Sequence, residues 1–324
     1  MSNHRLMFTT LIALASLSDP QGARAERSAK RVKTTRAPRT IQRVDSLHPL
    51  GVVLLVDRSA STESLLPTGE RTIAQAIAGS VNLTQESMLA FSQAGVDEEA
   101  EGGPRVLYKP YFKVAAIGYN DRAHALFGNQ LQFHSLDELH NLGHTEDDGH
   151  MTWVRPVSSG NTNMPQAFAH ARPLLEAFVA EHPDSPPPIV INVTDGKPYV
   201  HGRDLFPETL AEAKALQEIG TKHGKTLVMN LHFLDGQNRP LLFPESTAEI
   251  DENLRQFGDL LFNMSSKMPP WMKAVARRSF EGHPIGKNSR LLAVNVDGLM
   301  LPRLLELGTV QASKGQQADQ EDEE

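Results

Sequence analysis

The 324-residue chain contains no cysteine. Disulfide scaffolds, thiol catalysis and thiolate metal centres are therefore excluded, and a metal site must use oxygen ligands or histidine. Hard oxygen donors favour Mg²⁺, Ca²⁺ or Mn²⁺. The lack of cysteine does not identify a compartment, because exported proteins can share it. No run approaches the roughly 18 consecutive apolar residues that a transmembrane helix needs. Neither Gly-x-x-x-x-Gly-Lys nor Gly-x-Gly-x-x-Gly occurs, so the two common phosphate-cradling loops are missing. The acidic stretch Glu98–Glu101 lacks the spacing of an EF-hand and reads as a solvated loop. No repeat of solenoid period is evident.

What is present is an ordinary globular composition, 40% hydrophobic, with an uneven distribution of charge. Residues 1–45 carry nine Lys or Arg against three acids, a net +6. Residues 311–324 carry one Lys against five acids, a net −4, which leaves the body at −9 of the overall −7. An acidic body argues against a nucleic-acid-binding surface. Residues 1–45 read as a basic N-terminal segment and linker, 46–310 as one ordered domain, and 311–324 as an acidic disordered tail.

The N-terminus sends two opposed signals. Met1–Arg5, the apolar Leu6–Leu17 and the small-x-small Ala23-Arg24-Ala25 follow the order of a secretory signal peptide over residues 1–25, which would make the chain secreted or periplasmic. The basic cluster Arg27, Lys30, Arg31 and Lys33 just beyond opposes export and favours the cytoplasm.

Along the body, apolar runs alternate with helical patterns. Gly51–Val56 and Ile189–Thr194 are continuous apolar runs rich in β-branched residues, the mark of strands buried on both faces. Phe112–Tyr119, Thr226–Leu234 and Leu291–Val296 add three more strands, and Ala123–Phe127 a short edge strand or hairpin arm. Helices are expected over about 70–94, 165–181, 204–222, 247–267, 269–281 and 299–307, while 135–150 reads as loop. This alternation predicts a doubly wound α/β fold: an open, mostly parallel sheet with helices on both faces. In such sheets the functional crevice lies at the carboxyl ends of the strands. Two of the apolar strands end there in aspartate, Asp57 and Asp195.

The first of these opens Asp57-Arg58-Ser59-Ala60-Ser61. A carboxylate followed by hydroxyls two and four residues later, on a tight turn, can aim three hard oxygens at one point. Ser158–Asn163 is a turn-rich loop ahead of a helix, and Val193-Thr194-Asp195-Gly196 is a strand end with a tight turn. Asp-x-Ser-x-Ser, a later loop threonine and a strand-terminal Thr-Asp-Gly, in that order over about residues 48–310, resemble the metal-ion-dependent adhesion site (MIDAS) of von Willebrand factor A domains. The resemblance implies a Rossmann-like fold and one Mg²⁺, or else Mn²⁺ or Ca²⁺. It implies direct ligation by Ser59 and Ser61, and by Thr162 in the ligand-bound arrangement. Asp57 and Asp195 would then hold the metal's waters or ligate in one state. The sixth position falls to water or to a carboxylate of a protein partner. Ala60 stands where many members have glycine. Segments around Ser185–Asp195, Leu241–Pro244 and Leu260–Ser266 are similar to stand-alone bacterial members, often associated with Ser/Thr kinase and metal-dependent phosphatase partners.

Other readings of the same residues compete. Alone, Asp57–Ser61 could be a helix-capping turn. Asp57 could instead be the nucleophile of a Mg²⁺-dependent phosphohydrolase, but such enzymes usually place a second carboxylate two residues on, where Ser59 stands. The expectation is therefore a binding module without catalytic residues. His140, His144, Asp147, Asp148 and His150 lack the spacing of one helix or strand face and read as a solvated loop. His232 reads as a hydrogen-bonded core histidine and Asp235-Gly236 as an ordinary turn.

Overall fold

The computed structural model describes residues 44–66, 69–233, 240–296, 303, 304 and 307. The chain divides into two units, 1–40 and 41–324. The first lies outside the described residues, as do the tail 311–324, Asp235 and most of the helix expected over 299–307.

Seven strands form the main sheet of the second unit: β1 (Leu50–Asp57), β2 (Phe112–Tyr119), β3 (Ala123–Ala125), β4 (Ile189–Thr194), β5 (Leu227–Phe233), β6 (Leu241–Leu242) and β7 (Leu292–Val296). Their spatial order is β6-β7-β5-β4-β1-β2-β3. The five central strands are parallel, and the short edges β3 and β6 run antiparallel to their neighbours. Every residue of β1, β4 and β7 is buried, which explains why their sequences show no alternation.

Helices cover both faces. On one side α1 (Ile73–Ser92), α2 (Leu136–Leu142) and α6 (Pro270–Ser279) share an apolar cluster with Leu50, Val52, Leu54 and Val56 of β1. On the other, α3 (Met164–Glu181), α4 (Phe206–Leu216) and α5 (Arg255–Met264) share a second cluster with Val53 and Leu55. Burying each such aliphatic side chain contributes about 1.5–3 kcal/mol. The expected doubly wound architecture is thus observed. Local chemistry sets the helix starts: Thr72 and Gln75 close a capping box on α1, and prolines occupy the first turns of α3, α4 and α6.

Several boundaries differ from expectation. The segment 135–150 is not all loop: Ser135 caps α2 through a box with Glu138, and His144–Thr145 pairs with Met151–Thr152. The acidic loop 98–104 joins a hairpin of Gln93–Asp97 and Arg105–Tyr108 that was not expected from the sequence. The helix expected over 204–222 ends at Leu216, followed by a Gly220–Thr221/Gly224–Lys225 hairpin. The helix expected over 247–267 is α5 preceded by two short 3₁₀ turns.

Candidate functional site

The parallel register brings the two aspartate-terminated strands side by side. Val56 pairs with Val193, so Asp57 and the Thr194–Asp195 step emerge together at the carboxyl end of the sheet. After Asp57 the chain stays extended at Ser59 and then turns through the 3₁₀ segment Ala60–Glu63. One oxygen of Asp57 accepts the Ser59 amide at 2.9 Å, and the other accepts the Thr194 hydroxyl at 2.7 Å. Ser59 Oγ lies 3.1 Å from Ser61 Oγ, which donates to Asp195 Oδ1 at 2.9 Å. Four of the five expected site residues therefore form one hydrogen-bonded path. It runs from the core, where Asp57 and Ser59 are each 1% exposed, to the surface, where Ser61 is exposed and Asp195 partly so.

Ala60 fits this turn without strain: it is helical in conformation, absent from the residues of positive φ, and its amide donates to the Gly160 carbonyl at 3.1 Å. The capping-turn reading holds in part, because the Asp57 carboxylate does accept a backbone amide of the turn. Ser59, at the N-cap position, makes no side-chain cap bond and spends its hydroxyl on Ser61.

Thr162, the fifth residue, sits on the neighbouring loop and is 6% exposed. Among the described residues no hydrogen bond joins its hydroxyl to the other four. Its backbone is fixed by an antiparallel bridge to Tyr199, with N···O distances of 2.9 and 3.0 Å. The turn after β2 clamps the same loop. Asp121 Oδ1 accepts both the amide and the side chain of Asn161, Asn163 Nδ2 donates to the Asp121 carbonyl, and Asn120 Nδ2 to Ser159 Oγ. The two bonds from Asn161 hold the Asp121 carboxyl below the usual carboxylate range. Gly160 has φ +73°, and a Cβ there would collide with the Asp121 carboxylate, so glycine is required for the clamp to close.

Electrostatically the site is unbalanced. Among the described residues neither Asp57 nor Asp195 has an ion-pair partner within 4 Å. Burial raises the Asp57 carboxyl above its ordinary range despite its hydrogen bonds. Burial, reinforced by the charge of Asp57, pushes Asp195 up to about 7. Two carboxylates that resist ionisation together, with hydroxyls between them, are a hard-oxygen donor set short of positive charge, and a small divalent cation fits it. Among the described residues no three His, Asp or Glu side chains converge into a metal cluster. The candidate set has only two such residues, Asp57 and Asp195, and its other donors are the hydroxyls of Ser59, Ser61 and Thr162.

The site has supports that were not expected from the sequence. Thr194 is fully buried and spends its hydroxyl on Asp57; its place next to Asp195 was the available signal. Beneath it, Tyr119 donates to Asn192 at 2.8 Å, Asn192 to Asn230 at 3.0 Å, and Asn230 to Ser265 at the end of α5 at 2.9 Å. Polar residues inside otherwise apolar strands were the clue. His232 is buried against Phe257, and burial pushes it down to about 4, so it is neutral. The other histidine cluster is dispersed: His140 bonds Tyr108 and His150 faces Glu86, while His144 is exposed.

The nucleophile alternative loses ground on geometry. Asp57 is 1% exposed and accepts one hydrogen bond on each oxygen, and the position two residues on, where such an enzyme needs its acid/base carboxylate, is the buried hydroxyl of Ser59.

No protein-family model matches the sequence, and no curated protein does so significantly. Similar solved structures include a von Willebrand factor type A protein from Catenulispora acidiphila, at 12% identity and TM-score 0.43, covering 83% of this chain and 43% of that one. The PilB minor pilin of Streptococcus sanguinis has 11% identity and TM-score 0.45, with 82% and 62% covered. The von Willebrand factor domain of the type V pilus tip protein Mfa5 from Porphyromonas gingivalis has 15% identity and TM-score 0.31, with 47% and 39% covered. This chain thus spans less than two thirds of each of these proteins. At such identities the likenesses are distant.

Proposed function

We propose that this protein is a divalent-cation-dependent protein-binding module of the von Willebrand factor A type, not an enzyme. The observation behind the proposal is the hydrogen-bonded path Asp57–Ser59–Ser61–Asp195 at the carboxyl edge of the sheet, whose two carboxylates have no cationic partner among the described residues. Ser59, Ser61, Asp57 and Asp195 would hold one Mg²⁺, with Mn²⁺ or Ca²⁺ as substitutes, and Thr162 would join when a ligand binds. The cation would supply residual positive charge that attracts a carboxylate of a partner protein. Asp57 and Asp195 neutralise most of it, Thr194 fixes the Asp57 rotamer, and Ser61 keeps one side of the site open to solvent. A bacterial signalling or stress-response setting with kinase and phosphatase partners is the context that the sequence resemblance suggests.

Calorimetric titration of the full chain with Mg²⁺ and Mn²⁺, beside Asp57→Ala, tests the metal half of the proposal. One saturable site, lost in the variant while unfolding stays cooperative, is the expected result. Equal binding by both proteins would refute the assignment of Asp57.

A further inference from the structure

The two walls of the candidate site differ in how their cations are satisfied. On the wall that follows Asp195, Lys197 pairs with Asp204 at 2.7 Å and Arg203 pairs with Glu208. The turn after β2 and the loop 155–159 meet the backbone of the Asp57–Ala60 turn, and with Arg58 itself these segments bring Arg122 and Arg155 beside the site. Among the described residues none of these three has an ion-pair partner within 4 Å.

Arg58 is the informative member. It lies between Asp57 and Ser59, and its backbone is pinned by Arg58 N to the Tyr119 carbonyl at 2.8 Å and by Ser159 N to its own carbonyl at 2.9 Å. The side chain folds over Gly118, where a Cβ would come within 2.8 Å of Arg58 Cδ and 2.9 Å of His124 Nε2. A glycine in β2 thus makes room for it. The guanidinium donates to His124 Nε2 at 2.8 Å and weakly to the Arg155 carbonyl at 3.4 Å. Burial and the nearby Arg58 charge keep His124 neutral, so this contact supplies no counter-charge. Arg58 Nε is buried without a hydrogen-bond partner. A half-buried guanidinium with an unused donor, and with no anion within 4 Å among the described residues, leaves part of its desolvation uncompensated.

Arg122 and Arg155 flank it, both exposed. Among the described residues no carboxylate lies within ion-pair distance of the trio: Asp121, bound to Asn161, feels the Arg122 charge and offsets it only in part, and Glu146 lines the groove beside Arg155 without pairing to it. Glu63, at the end of the 3₁₀ turn, is likewise exposed.

Resting on the cation-dependent reading above, we infer that the partner is an acidic segment with at least two carboxylates: one directed to the cation and another to the Arg58–Arg122–Arg155 wall. The wall makes Arg58 a specificity-determining residue. It rewards a second acid on one side of the cation only, which fixes the direction in which the segment lies across the site.

The test compares two synthetic peptides on the full chain in Mg²⁺ by fluorescence anisotropy. One is a glycine-serine peptide with a single central aspartate, and the other has aspartates at alternate positions. The expected result is that the multiply acidic peptide binds about fivefold or more tighter at low ionic strength, an advantage that shrinks near about 0.5 M salt. Arg58→Gln should collapse the ratio of the two affinities, and Arg58→Lys should retain part of it. A general loosening of the turn would weaken both peptides alike and leave the ratio intact, which would overturn the inference. Should Arg58→Gln fail to fold, the surface double variant Arg122→Gln/Arg155→Gln reads the same ratio. Equal affinity of the two peptides, each lost in EDTA, would sink this inference and leave the cation site standing. Binding unaffected by EDTA, or no binding of either peptide, would sink both.

Discussion

Removing the metal should make this protein lose stability as pH rises, the reverse of the usual behaviour of a carboxylate. Asp195 has its folded-state pKa raised to about 7 from an ordinary 3.8, with burial as the larger cause and Asp57 the smaller. A carboxyl whose pKa is raised by folding binds more protons in the native state than in the unfolded chain. Its contribution to stability is full below the unfolded value and is lost as pH rises through the folded one. Between pH 5 and pH 8 the linkage relation gives a loss of roughly 3 kcal/mol from Asp195 alone, and Asp57 pulls the same way. His232, held neutral by burial, acts oppositely below about 6.5, so the diagnostic quantity is the difference between wild type and Asp195→Asn. The assay is urea unfolding in EDTA at several pH values. Wild type should fall relative to Asp195→Asn between pH 5 and 8, and saturating Mg²⁺ should restore it at the upper end, by about 2.7 kcal/mol at a hundred times Kd. Parallel pH profiles for the two proteins in EDTA would refute the unbalanced-charge account of the site.

Two smaller perturbations separate the supports from the ligands. Thr194→Val keeps the shape of a fully buried side chain but removes the donor to Asp57; it should cost about 1–3 kcal/mol in urea unfolding and weaken Mg²⁺ binding in calorimetry, and unchanged stability would show that the hydroxyl is not holding the carboxylate. Asp121→Ala should release the Asn161 loop that carries Thr162; hydrogen exchange at residues 159–163 should speed up while the amides of β1 and β4 stay protected, and protection unchanged across that loop would remove Asp121 as its clamp.

The fold was legible because its strands are buried on both faces. Val52–Val56 and Ile189–Val193 have no polar alternation, as expected of strands in a parallel sheet covered on two sides. The candidate site was legible for a related reason: each of its two strands stops at an acid, and the register that aligns Val56 with Val193 places those acids together. Most features that were not legible depend on contacts distant in sequence. The segment 135–150 is polar and looked like loop; its short helix has a local signal in the Ser135–Glu138 capping box, but the hairpin after it is held from afar, with Glu86 receiving His150 and the Met151 amide and Asn82 receiving the Trp153 and Val154 amides. Arg58 was hidden for the opposite reason. Its neighbours Asp57 and Ser59 explain the motif completely, and nothing local marks it as a cation short of an anion. Only the fold shows that Gly118 vacates space for its side chain and that a neutral histidine, not a carboxylate, receives it. A position between two candidate ligands thus carries its information in what it lacks, which is visible only once every neighbour is in place.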